Sequence, residues 1–360
     1  MANMTAAFLY QDFSPGQMII GMEVSTVLSA IISAFGILTN TIVIRTFMAM
    51  GPADGMTVAF LLMSLVDLTF SAVSFSLSIS TIFLILETLS GSLFPVQPYG
   101  IGVYFANLLI PLSAIISLQT SFIAIARCLC VAAPFYFKNV FTRSLTLAFM
   151  VSFTVFSSAV YVPVFVFMGM VDKTDNIKNL TRPMLWVSPN REPTKSIVST
   201  IIAIIIPLAS QLIVIVTLVV MATSLRNSYH FRLSAAIGID SPKRNRQSAA
   251  PSGIDRPTSK TANKECTISS KEMQIIKQVA LLSALYVVCH IPKIMFIITG
   301  LVLPEFNLNR ELQNLYLTMS NTRMLFEMIN SASNFPIYFK YNSKFRKLLG
   351  KKMCRQKQNS

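Results

Sequence analysis

Seven apolar stretches, each long enough to cross a bilayer, constrain this chain more than any other feature. A helix that spans the hydrocarbon core needs about 20 apolar residues. The stretches are Met18–Met48, Thr57–Leu86, Ile101–Val131, Leu145–Met170, Ser196–Leu225, Ile275–Val302 and Leu312–Phe339. None alternates apolar and polar residues as a membrane β-strand does, so each is read as a helix. The chain is 53% hydrophobic and only 12% charged, against about 25% charged in soluble domains. The first stretch is too long for a signal peptide and has no small-residue cleavage site before it, so it is expected to stay in the mature protein. The expected fold is an all-α membrane protein, a seven-transmembrane helix bundle.

Charge sets the orientation. With the amino terminus outside, 22 Lys and Arg fall on inner segments and six on outer ones. Cytoplasmic loops carry the excess of positive charge, so the carboxyl terminus is placed inside. The net charge of +15 is then a matter of topology and anionic lipid, and nucleic acid is not the expected partner. The triplets Asn3-Met-Thr5 and Asn179-Leu-Thr181 both land on the predicted outer face, where Asn3 and Asn179 are candidate glycosylation sites. None of the five cysteines lies in an outer loop, which excludes an extracellular disulfide framework. Their spacing to His230 and His290 fits no metal site. No phosphate-binding Gly-rich loop or nucleophile–base pair is visible, so an enzyme is not expected.

Polar residues inside the apolar runs are the functional candidates. Arg127 ends the long third run, and Asp67 is the one acid in the middle of the second. Charges at such depth are costly unless paired or wetted. Asp67 is therefore either a working carboxylate or a satisfied structural hydrogen bond. Asn40 needs a partner on a neighbouring helix, since lipid offers none. Pro207 frees a carbonyl in the fifth span and suits an element that moves. Residues 1–17 form a short outer terminus, 18–340 the bundle, and 226–271 a polar inner loop expected to be disordered. In 341–360, Phe345, Leu348 and Leu349 share one face among lysines, which predicts a short amphipathic helix on the inner membrane surface. Cys354 beyond it is either a palmitoylation site or an unmodified tail cysteine.

These features in this order resemble the rhodopsin-like (class A) G-protein-coupled receptors, over about residues 19–350. Gly36-x-x-x-Asn40 is similar to the family's first-helix motif, and Met63-Ser-Leu-Val-Asp67-Leu to its second-helix acid motif. Ala126-Arg127-Cys128 stands in the place of Asp-Arg-Tyr, with Pro134 at the family's distance. Pro207 matches the fifth-helix proline. Cys289-His290-Ile-Pro292 resembles Cys-Trp-x-Pro, and Asn334-Phe-Pro-Ile-Tyr338 resembles Asn-Pro-x-x-Tyr. The wording Arg-Cys-Leu-Cys-Val-Ala-x-Pro-Phe, with Pro-Ala-Asp-Gly-Met before the second span, is similar to the molluscan orphan and chemosensory receptors.

The resemblance implies a plasma-membrane receptor that binds an extracellular ligand and activates a heterotrimeric G protein. It implies that Arg127 and Phe135 contact the G protein, and that Pro207, His290, Pro292, Asn334 and Tyr338 belong to the switch. Glu272 then lies across from Arg127 as a clamp between the third and sixth helices; otherwise it is a solvated acid favoured by the helix dipole. Asp67, Asn330, Ser331 and Asn334 would line a pocket for an allosteric sodium ion. His290, Lys293, Arg323 and Glu327 would face the ligand side. There, Lys293–Glu327 is a structural bridge, or Arg323 is a spare positive charge for an anionic ligand, with Lys293 and Arg323 facing a watery cavity. His290 is a pH-responsive group or a structural one.

The departures are specific. Gly102 stands where the family's third-helix cysteine anchors the second outer loop, and that loop has no cysteine. The loop is expected to be held by packing alone or left mobile. Ala126 replaces the acid beside the arginine, His290 the switch tryptophan, the fourth-helix tryptophan is missing, and the seventh-helix proline is shifted to Pro336. The reading from another class is a multi-span transporter or channel, against which stands the lack of an inverted repeat.

Overall fold

The computed structural model describes residues 15–51, 54–132, 142–175, 180–238, 270–307 and 310–358. Asn3, Phe135 and Asn179 lie outside the described residues, as do most of the 226–271 segment and the side chains of Glu272 and Cys354. The element order is α1 (Pro15–Met50), α2 (Gly55–Ser90), α3 (Pro98–Ala132), α4 (Arg143–Val166), β1 (Met168–Asp175), β2 (Leu180–Val187) and α5 (Arg191–Ser199). A π-helical stretch (Thr200–Ile205) then leads into α6 (Ile206–Gly238), followed by α7 (Ser270–Val302), α8 (Gln313–Ala332), α9 (Asn334–Tyr341) and α10 (Ser343–Gln358).

Among the described residues, six spans are long and apolar enough to cross a membrane: Glu23–Met50, Gly55–Ser90, Pro98–Cys130, Arg143–Val166, Arg191–Thr223 and Lys277–Val302. They correspond to the first six sequence stretches. The seventh stretch does not reach that mark. It folds as α8 and α9 with a break at Ser333, and α8 carries Asn314, Asn321, Arg323, Glu327 and Asn330 on its 20 residues. This is a multi-pass membrane fold turned inside out relative to a soluble one. Val27, Ile31, Phe35 and Leu38 point outward from α1, while Asn40, Asp67, Ser71, Asn330 and Ser331 are buried. Lipid is as apolar as Leu, so the polar groups go inward to find partners.

Helix α3 is the central post. Of its apolar window 72% is buried, against 22% for α4, and it packs on α2, α4, α6 and α7. At the end of the bundle beside α10, Phe47 and Phe60 stack at 6.1 Å, and Tyr338 meets them at 5.3 and 5.2 Å. Phe345 of α10 is fully buried against Phe47, at 5.5 Å. The amphipathic helix is therefore docked by Phe345 into the bundle, while Leu348 and Leu349 stay partly exposed. This corrects the expectation that all three lie against lipid: the Phe345 ring finds an aromatic socket closed by α1 and α9.

Local chemistry explains several boundaries. Asp54 caps α2, accepting from the Thr57 backbone N–H at 3.3 Å and its hydroxyl at 2.6 Å. Gly91 ends the same helix at φ +63°, its N–H donating to Glu87 O. The π-helical stretch sits directly before Pro207, which has no N–H to donate. Helix α6 runs to Gly238, past Arg226 where the inner loop was expected to begin.

The fourth span ends at Val166 rather than Met170, because Met168 already belongs to a strand. Strands β1 and β2 form an antiparallel hairpin in register Met168↔Val187 through Asp175↔Leu180, an addition to the all-helical expectation. It lies over the amino-terminal end of α3. A Cβ at Gly100 would stand 2.9 Å from Met170 Sδ and 3.3 Å from Leu185 Cβ, so the hairpin packs closely on this glycine and a side chain here would displace Met170.

Candidate functional site

Three buried polar groups hold the candidate residues, and a largely buried ion-pair clasp ties the hairpin to α2. The first joins α1, α2, α8 and α9 near mid-membrane. Asn334 Nδ2 donates to Asp67 Oδ2 at 2.7 Å. Ser331 Oγ donates to the Asp67 backbone carbonyl at 3.2 Å and lies 3.4 Å from Ser71 Oγ. Asn40 Nδ2 donates to Gly36 O at 3.0 Å and Ser331 O at 3.3 Å. Residues up to 291 positions apart thus meet at one point. Asp67 is fully buried, and its Oδ1 has no hydrogen-bond partner among the described residues. An orphaned carboxylate oxygen beside hydroxyls and side-chain amides fits a sodium ion. The single carboxylate favours a monovalent ion, since divalent hard cations gather several; among the described residues no cluster of three His, Cys, Asp or Glu is assembled. Asn330 is buried nearby, lining a small cavity with Asn334, Ser283 and Tyr286.

The second group lies between α3, α7 and α8. Lys293 Nζ donates to Ser113 Oγ at 2.6 Å and stands 3.3 Å from Glu327 Oε1. Arg323 Nη1 approaches the same oxygen at 3.7 Å. Side-chain exposures are 4% for Lys293, 6% for Glu327 and 20% for Arg323. The Lys293–Glu327 bridge of the sequence reading is present. Lys293, however, does not face a watery cavity: Ser113 and Glu327 enclose it. Losing Glu327 would leave two cations on no carboxylate, a cost of about 3–5 kcal/mol for a buried pair. His290 stacks on Tyr286 with ring centres 3.9 Å apart. Its Nδ1 lies 3.0 Å from the Tyr286 carbonyl. A carbonyl only accepts, so Nδ1 carries the proton there. This is the structural role weighed for His290.

The third group is the carboxyl-terminal end of α3. Arg127 is 7% exposed, and its Nε has no hydrogen-bond partner among the described residues. Glu272, its expected clamp, has a side chain outside the described residues. Tyr338 is fully buried in the aromatic socket, and Pro292 lies inside α7.

The clasp went unread in the sequence. Arg182 on β2 grips Glu87 at the end of α2 through two bonds, Nη2–Oε1 at 2.7 Å and Nη1–Oε2 at 3.0 Å, and also reaches Phe94 O at 3.2 Å. Gln97 adds two more: its N–H donates to Pro183 O at 3.1 Å, and its side-chain oxygen accepts from Leu185 N–H at 2.9 Å. The hairpin is therefore not held by packing alone: a bidentate ion pair ties β2 to the end of α2. An acid at the outer end of a span facing a loop arginine was the available signal. A second unread set is Asn107, whose Oδ1 accepts from Tyr161 Oη at 2.9 Å and Arg191 Nη2 at 3.3 Å. Ser113, one serine among many on α3, carried no distinguishing mark.

No family model matches the chain, and no characterised protein matches it.

Proposed function

We propose that the chain is a seven-span receptor of the rhodopsin-like kind, which binds an extracellular ligand and activates a heterotrimeric G protein. In this reading α8 and α9 together are the seventh span, the amino terminus is outside, and the membrane is the plasma membrane. The observation that carries the reading is the convergence of Asn40, Asp67, Ser331 and Asn334 at one buried locus, with Asp67 and Asn334 at 2.7 Å. Asn40 and Asp67 were singled out as polar residues inside apolar runs, and the resemblance grouped Ser331 and Asn334 with Asp67; the contacts among these four support that grouping. The buried Arg127 at the inner end of α3 also supports it. In this reading its guanidinium, whose Nε has no hydrogen-bond partner among the described residues, exchanges a helix α7 acid for a G-protein segment.

Coupling is a two-state matter. The resting state is held by whatever pairs Arg127, and an outward swing of α7 about Pro292 opens the inner cleft. Because Ala126 supplies no adjacent counter-ion, the resting state is held weakly and basal coupling is measurable without a ligand. The test is co-expression with each class of G-protein α subunit, read as nucleotide exchange, with ion current and solute uptake recorded from the same cells. Basal exchange that Arg127→Ala abolishes is expected. Current or uptake without exchange sinks the receptor reading in favour of a transporter or channel. Glu272→Ala should raise basal exchange; an unchanged level rejects Glu272 as the clamp.

A further inference from the structure

We infer that one water molecule is a fixed member of the charged group between α2 and α8, bonded to Ser74, Arg323 and Glu327. The inference goes beyond the receptor reading and stands or falls without it.

Unpaired polar atoms mark the place. Serines in these spans commonly bond the carbonyl four residues back, as Ser76, Ser78, Ser117 and Ser121 do. Ser74 is 1% exposed, yet its Oγ has no hydrogen-bond partner among the described residues. The same holds for Arg323 Nε and Glu327 Oε1. Oε1 meets Lys293 and Arg323 as ion pairs, at 3.3 and 3.7 Å, but neither contact has the geometry of a hydrogen bond. Buried polar groups left unpaired are rare in folded proteins, because each has given up its hydration.

Geometry brings the three atoms together. Ser74, Arg323 and Glu327 border one cavity, whose other walls are apolar and include Phe70 and Ala106. Arg323 is held over the Phe296 ring, its guanidinium carbon 5.0 Å from the ring centre. A guanidinium stacked in this way keeps its N–H edges free. Counted as the space open to a water-sized sphere, the cavity measures about 10 Å³. One water needs roughly 10–15 Å³ counted in that way, so the cavity admits a single water and nothing larger.

Hydrogen-bond roles select the same occupant. Arg323 Nε–H only donates, and Glu327 Oε1, paired with two cations, only accepts. The occupant must therefore accept and donate at once. A halide cannot donate and would face the carboxylate. A metal cation cannot accept and would face Arg323 and Lys293. Water does both: it accepts from Arg323 Nε–H, donates one proton to Glu327 Oε1 and shares the other bond with Ser74 Oγ. Three bonds are typical of a buried water. The water extends the Ser113–Lys293–Glu327 chain to α2, so that α2, α3, α7 and α8 share one polar network. Ser74 is then a positioning residue, which fixes Arg323 through the water.

Two measurements on the full chain test this. The first is a crystal structure grown from lipid, at a resolution that shows ordered water. A peak about 2.7–3.2 Å from all three atoms is expected. The second is X-ray radiolysis in nanodiscs, in which a bound water yields hydroxyl radicals in place and oxidises the side chain beside it. Phe70 borders the cavity and is 1% exposed, while Phe47 in the aromatic socket is 0% exposed. Oxidation of Phe70 severalfold above Phe47 is expected, in chloride and in gluconate alike. Ala106→Val, which puts methyls into the cavity and keeps all three polar atoms, should bring Phe70 down to the level of Phe47. Ser74→Val should do the same from α2. The absence of a peak overturns the inference, as does equal oxidation of Phe70 and Phe47, or oxidation of Phe70 unchanged in both variants. A bromide anomalous peak at the site assigns a halide and overturns it too. Should both variants fail to fold, the map and the Phe70 to Phe47 ratio of the unaltered chain decide alone.

Discussion

Replacing Glu87 by Gln tests whether the clasp holds the hairpin over the end of α3. The substitution keeps side-chain length but removes the charge that both Arg182 nitrogens meet. Arg182 is 4% exposed and Glu87 14%, so the pair belongs near the buried end of the scale. There, loss of one partner costs about 3–5 kcal/mol, against about 0.2–1 kcal/mol for exposed pairs. Arg182 retains Phe94 O as an acceptor, which places the loss near the low end, about 3 kcal/mol. The Gln97 bonds to β2 remain and the β1–β2 ladder is untouched, so the opening released is local. Its reporter is amide hydrogen exchange over β1 and β2 in nanodiscs. A local free-energy loss of about 3 kcal/mol corresponds to roughly a hundredfold faster exchange through hairpin opening. Arg182→Met should act alike, the double mutant should be little worse than either single, and the swap Glu87→Arg with Arg182→Glu should recover part of the protection. Less than about a threefold change, or additive single effects, would mean that packing around Gly100 holds the loop and the ion pair is incidental.

Two further expectations are independent of it. Gly36→Ala places a methyl 2.6 Å from Ser71 Oγ and 3.2 Å from Ser71 Cβ; overpacking of this kind costs about 1–3 kcal/mol. Its melting temperature should therefore fall, and Ser71→Ala in the same background should restore much of the loss, unless α1 simply slides. Asp67→Asn should remove any difference in melting temperature between sodium and potassium buffers, because it takes the charge from the orphaned Oδ1; a difference that persists in the variant excludes Asp67 as the ion's ligand.

How much of the site was legible depended on the type of residue. Asp67, Arg127, Lys293, Arg323 and Glu327 stood out because a charge in an apolar run is costly and therefore rare. The Lys293–Glu327 pairing was one of two readings, and the structure has it at 3.3 Å. Ser113, Asn107 and Tyr161 were not legible, since uncharged polar residues are tolerated throughout these spans. Glu87 and Arg182 escaped because each sits where charge is ordinary, at a helix end and in a loop, and 95 residues separate them.

The six apolar spans were readable from hydropathy alone, as was the excess of basic residues on alternate connecting segments, because bilayer thickness imposes a length and the membrane sorts charge. Both constraints act on each segment separately. Helix rotation and register, by contrast, depend on all neighbours at once, and they decide which buried polar groups meet. Only the folded bundle therefore brought Asn334 to Asp67, both cations to Glu327, and Phe345 into the socket of Phe47 and Tyr338. The hairpin belongs with them: eight-residue strands of mixed polarity became a sheet because Arg182, Gln97 and the bare backbone of Gly100 gave them a surface to lie on.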